Sequence, residues 1–438
     1  MRPPDRRHAL LGWLLAAIVG AAAAREGATV WATASAYAPS QAIDALPIYL
    51  SGAVVRAHGD PTDRAALERA HTERGMHLAP AVFSNLYPAS TGVMFGSLTD
   101  RPWPDFVPIW RGLLLGGAIV AGLAGGLAGV RGPAAPLGAA VGAWLVLASF
   151  PVTAECIGIG QVNLLVAGIL ALCMAAASRG WSHVAGALAV VGAGIKLVPA
   201  LVLWPLVAAR RWSGVALAVA VTVALVAWTT VHVPLPTFLA GIAATLASKA
   251  SISADWVARR STGALCATLG EFRHLPLGIL TVVYAGVCAA LAPREPRVLA
   301  AGMALGVAWL GADAAGFLTL YATLYLPALV YLATWPLDRD APRWAWGAAP
   351  IGLLPALVVA AESYLVPEAR LALVGEVVWL GVAVRLWWHA RPARRPLAGL
   401  FLATLVVVGA FAWWKLRPLP PLPRGQPPHS YTAPMEAP

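Results

Sequence analysis

The sequence predicts an all-α polytopic membrane protein with about 12–13 transmembrane helices and a long first extracytoplasmic loop. Three observations predict it. Hydrophobic residues fill 59% of the 438 positions and charged residues only 12%, where soluble domains average roughly 25% charged. Many apolar runs approach or reach the ~20 residues that cross a bilayer. Finally, the arginines fall in short loops between those runs, the pattern that the positive-inside rule produces.

The chain opens MRPPDRRHALLGWLLAAIVGAAAAR, with three arginines ahead of an apolar stretch from Ala9 to Ala24. That pattern predicts a retained first helix, with the N-terminus in the cytoplasm, rather than a cleaved signal. Residues 25–105 follow as a polar extracytoplasmic loop carrying Asp44, Asp60, Asp63, Glu68, Glu73 and Asp100. It is too polar to face lipid. Within it, FSNLYPASTGVMFGSL (83–98) is interrupted by Asn85 and Pro88, which predicts an interfacial helix and not a span.

Further spans are predicted at 106–130, 134–150, 161–178, 183–195, 197–209, 213–232, 275–292, 298–312, 315–334, 345–361, 371–388 and 397–414. With the first helix leaving the cytoplasm, the inside loops hold Arg131, Arg179, Arg210 with Arg211, Arg294 with Arg297, Arg339 with Arg343, and Arg391 with Arg394 and Arg395. All are basic. The opposite loops include 151–160, a second extracytoplasmic loop at 233–274, and 362–370. Residues 1–415 thus form one integral membrane domain, and 416–438 a Pro-rich tail that lands outside despite its basic residues.

One pair of spans is unusual. Residues 183–209 lie between two basic loops and are too short for two full crossings. Each half rises only ~20 Å against a hydrocarbon core of ~30 Å. Two short helices would meet at a recessed apex holding Lys196 and Pro199. The alternative is one long tilted helix kinked at Pro199 with a snorkelling lysine. Either way, an ionisable residue at membrane depth is a functional candidate. The sequence holds only three lysines and two asparagines, Asn85 and Asn163. Asn163 belongs to GIGQVNLLVAG with Gln161, and both amides suit a helix start as well as a site.

The net charge of +11 does not indicate nucleic acid, because the arginines form no patch interleaved with exposed aromatics. Cys173 and Cys288 fall in apolar runs, whereas Cys156 and Cys266 fall in loops where pairing is open. No zinc spacing, Walker loop or dinucleotide fingerprint occurs. Asp338-Arg339-Asp340 is read as a solvated cytoplasmic turn, and His71 with His77 makes a poor ligand pair. No metal and no cofactor are expected.

Several of these stretches together resemble glycosyltransferase family 87. GQVNLLVAGILAL, a basic turn, and then AGALAVVGAGIKLVPALVLWPLVAARRW are similar to that family, as is DALPIYLSGAVVRAHGDP upstream. FSNLYPAS resembles its Phe-x-Tyr-Pro-Pro stretch with Ala89 in place of the second proline, and ARRSTGALCATLG (258–270) resembles a later loop motif loosely. The likeness covers residues 40–212; a late outer His-Pro is absent, with Tyr321 in that stretch.

The resemblance implies a GT-C fold and a hexosyltransferase of the cell inner (plasma) membrane, with its active site on the extracytoplasmic face. Its donor would be a polyprenyl-phosphate-linked sugar, mannose by family, and its acceptor a cell-envelope glycolipid or glycan. Asp44 would be the general base. Donor and substrate contacts would come from Lys196, Tyr49, Asn85, Tyr87, Gln161 and Asn163, with Arg259, Arg260 and Arg273 weaker candidates. Lys196 would meet the phosphate. Its partners would be the lipid-linked donor, the acceptor and the lipid bilayer, and no nucleic acid is expected. The alternative is a polytopic transporter or lipid flippase, and a non-enzymatic envelope scaffold is a third reading.

Overall fold

The computed structural model describes residues 6–76, 87–148, 151–242, 326–339 and 341, and all regular structure among them is helical. The chain runs through α1 (Arg6–Ser35), α2 (Leu46–Arg56), α3 (Arg64–Glu73), α4 (Ala89–Phe95), α5 (Trp103–Gly129), α6 (Ala135–Ala148), α7 (Pro151–Ile159) and α8 (Asn163–Ser178). It continues with α9 (Ser182–Ile195), α10 (Leu203–Ala208), α11 (Trp212–Thr230) and α12 (Leu326–Thr334). Asn85, Arg259, Arg260, Arg273, Cys266, the tail, most of the second loop and the spans from 275 on, other than 326–334, lie outside the described residues.

α5 is the centre. Phe106, Trp110, Leu114, Ala118 and Ala121 recur every three to four residues and are all fully buried, the stripe that a 3.6-residue period presents to neighbours. α6, α8 and α12 pack on it, α1 packs on α6 and α7, and α9 lies between α8 and α11. These contacts are close because glycines meet. A methyl group on Gly126 would sit 2.0 Å from the Gly138 carbonyl oxygen, and one on Gly186 would sit 2.1 Å from that of Gly214. Small residues that let backbones approach are how helices associate in lipid, where apolar burial itself gains little.

The outer faces are apolar too. Leu10, Trp13, Leu14 and Ile18 of α1 are more than half exposed, as are Trp212, Val219 and Val223 of α11. Such continuous apolar faces are stable against lipid and not against water. α1, α5 and α11 are each long and apolar enough to cross a membrane, and α6 with the bent-away α7 makes a broken fourth candidate.

Several boundaries differ from the sequence reading. α1 does not stop at Ala24 but runs on to Ser35. Arg25 and Glu26 lower the hydropathy there without breaking a helix, and Thr29 and Thr33 bond back to the carbonyls of Arg25 and Thr29. Residues 151–159, expected as loop, form α7, which places Cys156 in a buried helical position. In the stretch expected as an interfacial helix, α4 has Ala89–Val93 buried against α2 and α9. Asp338 is not solvated. It is 5% exposed, and its carboxylate accepts the Arg131 backbone N–H at 3.1 Å, tying the end of α12 to the turn after α5.

Candidate active site

Lys196 sits where the chain turns back. α9 ends at Ile195, Lys196 is extended (φ −151°, ψ 130°), and a 3₁₀ turn at Val198–Val202 leads into α10. The halves fold on each other, since a methyl on Gly192 would touch the Pro199 ring at 2.9 Å. The feet of this hairpin also meet: the hydroxyls of Ser182 and Ser213 are 3.3 Å apart. Residues 182–211 thus enter and leave on one side.

A helix end inside a bundle must satisfy its orphan carbonyls. α4 does this for α9. Ser90 Oγ donates to the Gly194 carbonyl at 2.7 Å, and Thr91 Oγ1 donates to those of Gly194 (3.1 Å) and Ile195 (2.9 Å). The break at Lys196 is therefore built in and not frayed. The lysine itself is 4% exposed, and its Nζ donates to Asn163 Oδ1.

Asn163 is the first residue of α8, just after a turn in which Gly160 adopts φ +83°. That left-handed conformation favours glycine. From the same turn Gln161 Nε2 donates to Asp44 Oδ2 at 2.9 Å, and the Asp44 backbone N–H donates to the Ile159 carbonyl at 3.0 Å. Gln161 Oε1 is buried with no hydrogen-bond partner. So one four-residue turn, GQVN, joins a loop carboxylate to the apex ammonium. Asp44 is partly buried. Loss of water raises its carboxyl from 3.8 to about 6; the Lys196 charge and the Gln161 hydrogen bond both pull it down, but less.

Two residues that the sequence reading passed over hold this turn in place. Trp110 Nε1 donates to the Gly160 carbonyl at 2.8 Å. Arg111, 4% exposed, donates to the Gly158 carbonyl from Nε (3.1 Å) and Nη2 (2.7 Å), and to the Tyr37 carbonyl from Nη1 (2.9 Å). One planar guanidinium thereby clamps the C-terminal ends of α1 and α7, which a point charge could not do. The signal was present: an arginine inside an apolar span needs a reason.

The structure therefore gathers four of the expected site residues, Asp44, Gln161, Asn163 and Lys196. Tyr49 is placed elsewhere. It is buried, donates its hydroxyl to the Arg101 carbonyl at 2.8 Å, and accepts from Arg74. Tyr87 is buried in the core. Among the described residues, no three His, Cys, Asp or Glu side chains gather as a metal site.

Apolar helices with exposed apolar faces, and a turn whose amides meet the Asp44 carboxylate and the buried Lys196 ammonium, define a membrane protein with an internal polar site. The family model for glycosyltransferase family 87 matches residues 85–333, more than half of the chain, and the protein belongs to that family. The match includes Gln161, Asn163 and Lys196 and begins after Asp44. No curated protein and no solved structure matched the chain. Membership places it among membrane glycosyltransferases and not among transporters or flippases.

Proposed function

We propose that this glycosyltransferase moves a sugar, mannose, from a polyprenyl-phosphate-linked donor to a cell-envelope glycolipid or glycan. The reaction takes place at the extracytoplasmic face of the inner membrane and needs no metal. The observation that carries this reading is the turn that holds the Asp44 carboxylate and the Lys196 ammonium in one site. Asp44 takes the proton of the acceptor hydroxyl as its oxygen bonds to the anomeric carbon. The bond from that carbon to the phosphate oxygen breaks, and the phosphate departs as an anion beside Lys196. Phosphate is a good leaving group, so no general acid is required. A base with a pKa of about 6 is ionised at neutral pH yet still basic enough to work there.

The depth of the site fits a lipid-linked donor. α8 has 16 residues, so it rises ~24 Å, short of a ~30 Å hydrocarbon core. With its Arg179 end at the cytoplasmic surface, Asn163 and Lys196 lie a few ångströms below the opposite one. A polyprenyl phosphate presents its headgroup at that level.

The test is the initial rate of sugar transfer from a radiolabelled polyprenyl-phosphate donor by purified protein. Asp44→Asn keeps shape and hydrogen bonding and should cost on the order of 10²–10⁴-fold in rate, with donor affinity retained. Asp60→Asn and Asp63→Asn are controls. Asp60 accepts from Thr62, and Asp63 accepts the Ala65 N–H as the cap of α3, roles that asparagine fills equally. Transfer by Asp44→Asn at the parent rate would move the base to another carboxylate, Glu155 in α7 being the next candidate.

A further inference from the structure

We propose that a cleft between the end of α3 and the start of α5 is the subsite for an anionic sugar on the acceptor. This inference rests on the transferase reading above. The cleft has a volume of about 670 Å³ and is lined by Ser40, Tyr49, Arg74, Asp100, Arg101 and Trp103 among others. That is within the range of sites that enclose small ligands.

Its cations are Arg74 and Arg101. Arg74 uses Nη1 on the Tyr49 hydroxyl and on the Thr99 carbonyl (2.7 Å), and its guanidinium carbon lies 4.7 Å from the Tyr49 ring centre. These contacts orient the guanidinium plane. Its Nε and Nη2 make no hydrogen bond among the described residues, nor does the Arg101 guanidinium. The one carboxylate in the lining, Asp100, is paired with Arg56 at 2.9 Å. Among the described residues the cleft keeps a net positive charge, and its Arg74 presents N–H donors in the fork geometry that suits phosphate or carboxylate.

The opposite wall is aromatic. Trp103 donates Nε1 to the Pro39 carbonyl at 3.1 Å, stacks on Phe106 at 5.6 Å and meets Tyr49 edge-on at 5.1 Å. The indole is thereby fixed, and it remains partly exposed to the cleft. A rigid aromatic beside oriented donors takes a ring that has one apolar face and a charged substituent.

Position assigns the subsite to the acceptor. Ser40 is in the same α1–α2 connection as Asp44, four residues earlier. Trp103 precedes Trp110, which holds the Gln161 turn, by seven residues of α5, about 10 Å along the helix. Lys196 does not line the cleft. A second set of cations at this distance serves a second anion, while the donor phosphate stays with Lys196.

The test reads binding without turnover. The full-length protein is placed in nanodiscs of phosphatidylcholine and titrated calorimetrically with glucose 6-phosphate, glucose and inorganic phosphate. Saturable binding of glucose 6-phosphate, stronger than that of glucose or of phosphate, is expected for the parent and for Asp44→Asn. Arg101→Gln, at an exposed side chain, should weaken it at least tenfold, and Arg74→Gln likewise. Equal binding by the parent and both variants, or no preference over inorganic phosphate, would overturn the proposal. So would loss of binding when phosphatidylglycerol is added to the discs, since the cleft would then hold a lipid headgroup. If the parent binds and Arg101→Gln does not, yet no transfer from a polyprenyl donor is ever seen, the subsite stands and the donor reading falls.

Discussion

At the scale of single residues, Asp44 carries the clearest pH dependence. Its carboxyl is raised to about 6 by burial, while Lys196 and Gln161 each hold it down. Transfer should therefore fall as pH drops through about 6. Gln161→Leu and Lys196→Ala should each move that limb to higher pH, which a pH–rate profile of the two variants will show. Lys196→Ala should also weaken donor binding, and Lys196→Arg should restore it only in part, because a guanidinium does not replace a compact ammonium beside Asn163. Stability has the opposite sign. A carboxyl whose folded pKa is raised favours the fold when protonated, so its contribution is full below 3.8 and lost as pH rises through about 6. Asp44→Asn, which removes the cost of burying an ion, should melt above the parent at pH 8, with the difference gone near pH 3.5. Melting curves at the two pH values check this.

At the scale of elements, the re-entrant hairpin depends on hydroxyls outside it. Thr91→Val is nearly isosteric and leaves the Ile195 carbonyl without its donor. A buried polar group left unsatisfied costs roughly 1–3 kcal/mol, so the variant should unfold at lower denaturant, and Ser90→Ala with it lower still. The clamp at Arg111 is a second such device. Arg111→Lys keeps the charge but cannot reach both Gly158 and Tyr37. It should lower the transfer rate at least tenfold, and raise the apparent pKa of the acid limb as the Gln161 turn loosens; an unchanged limb would mean that Arg111 acts on stability alone. Much of this level was legible. IKLVP between two basic turns marked a break, and GQVN marked the start of α8. The roles of Ser90, Thr91 and Arg111 were not, because each bonds to backbone that is distant in sequence, and periodicity carries no record of long-range partners.

At the scale of the whole molecule, the hairpin feet and the α2–α3 segment should face opposite sides of the membrane. With the four native cysteines replaced by serine, Asp63→Cys and, separately, Trp181→Cys, where the side chain is 54% exposed, should label from opposite sides with an impermeant reagent. Labelling of both from one side would overturn the orientation. Helical content and the membrane as solvent are local matters. They follow from the balance of apolar and charged residues over about 20 positions, and the sequence by itself determined them. Which polar groups meet was decided only by the tertiary structure. Gly160, where a methyl would sit 2.6 Å from the Ala45 side chain, lets its turn come close enough for Gln161 to reach Asp44 across 117 positions. In a bundle whose polar atoms must find partners inside the protein, those long-range pairings are set by how the helices pack, and no single stretch of chain contains them.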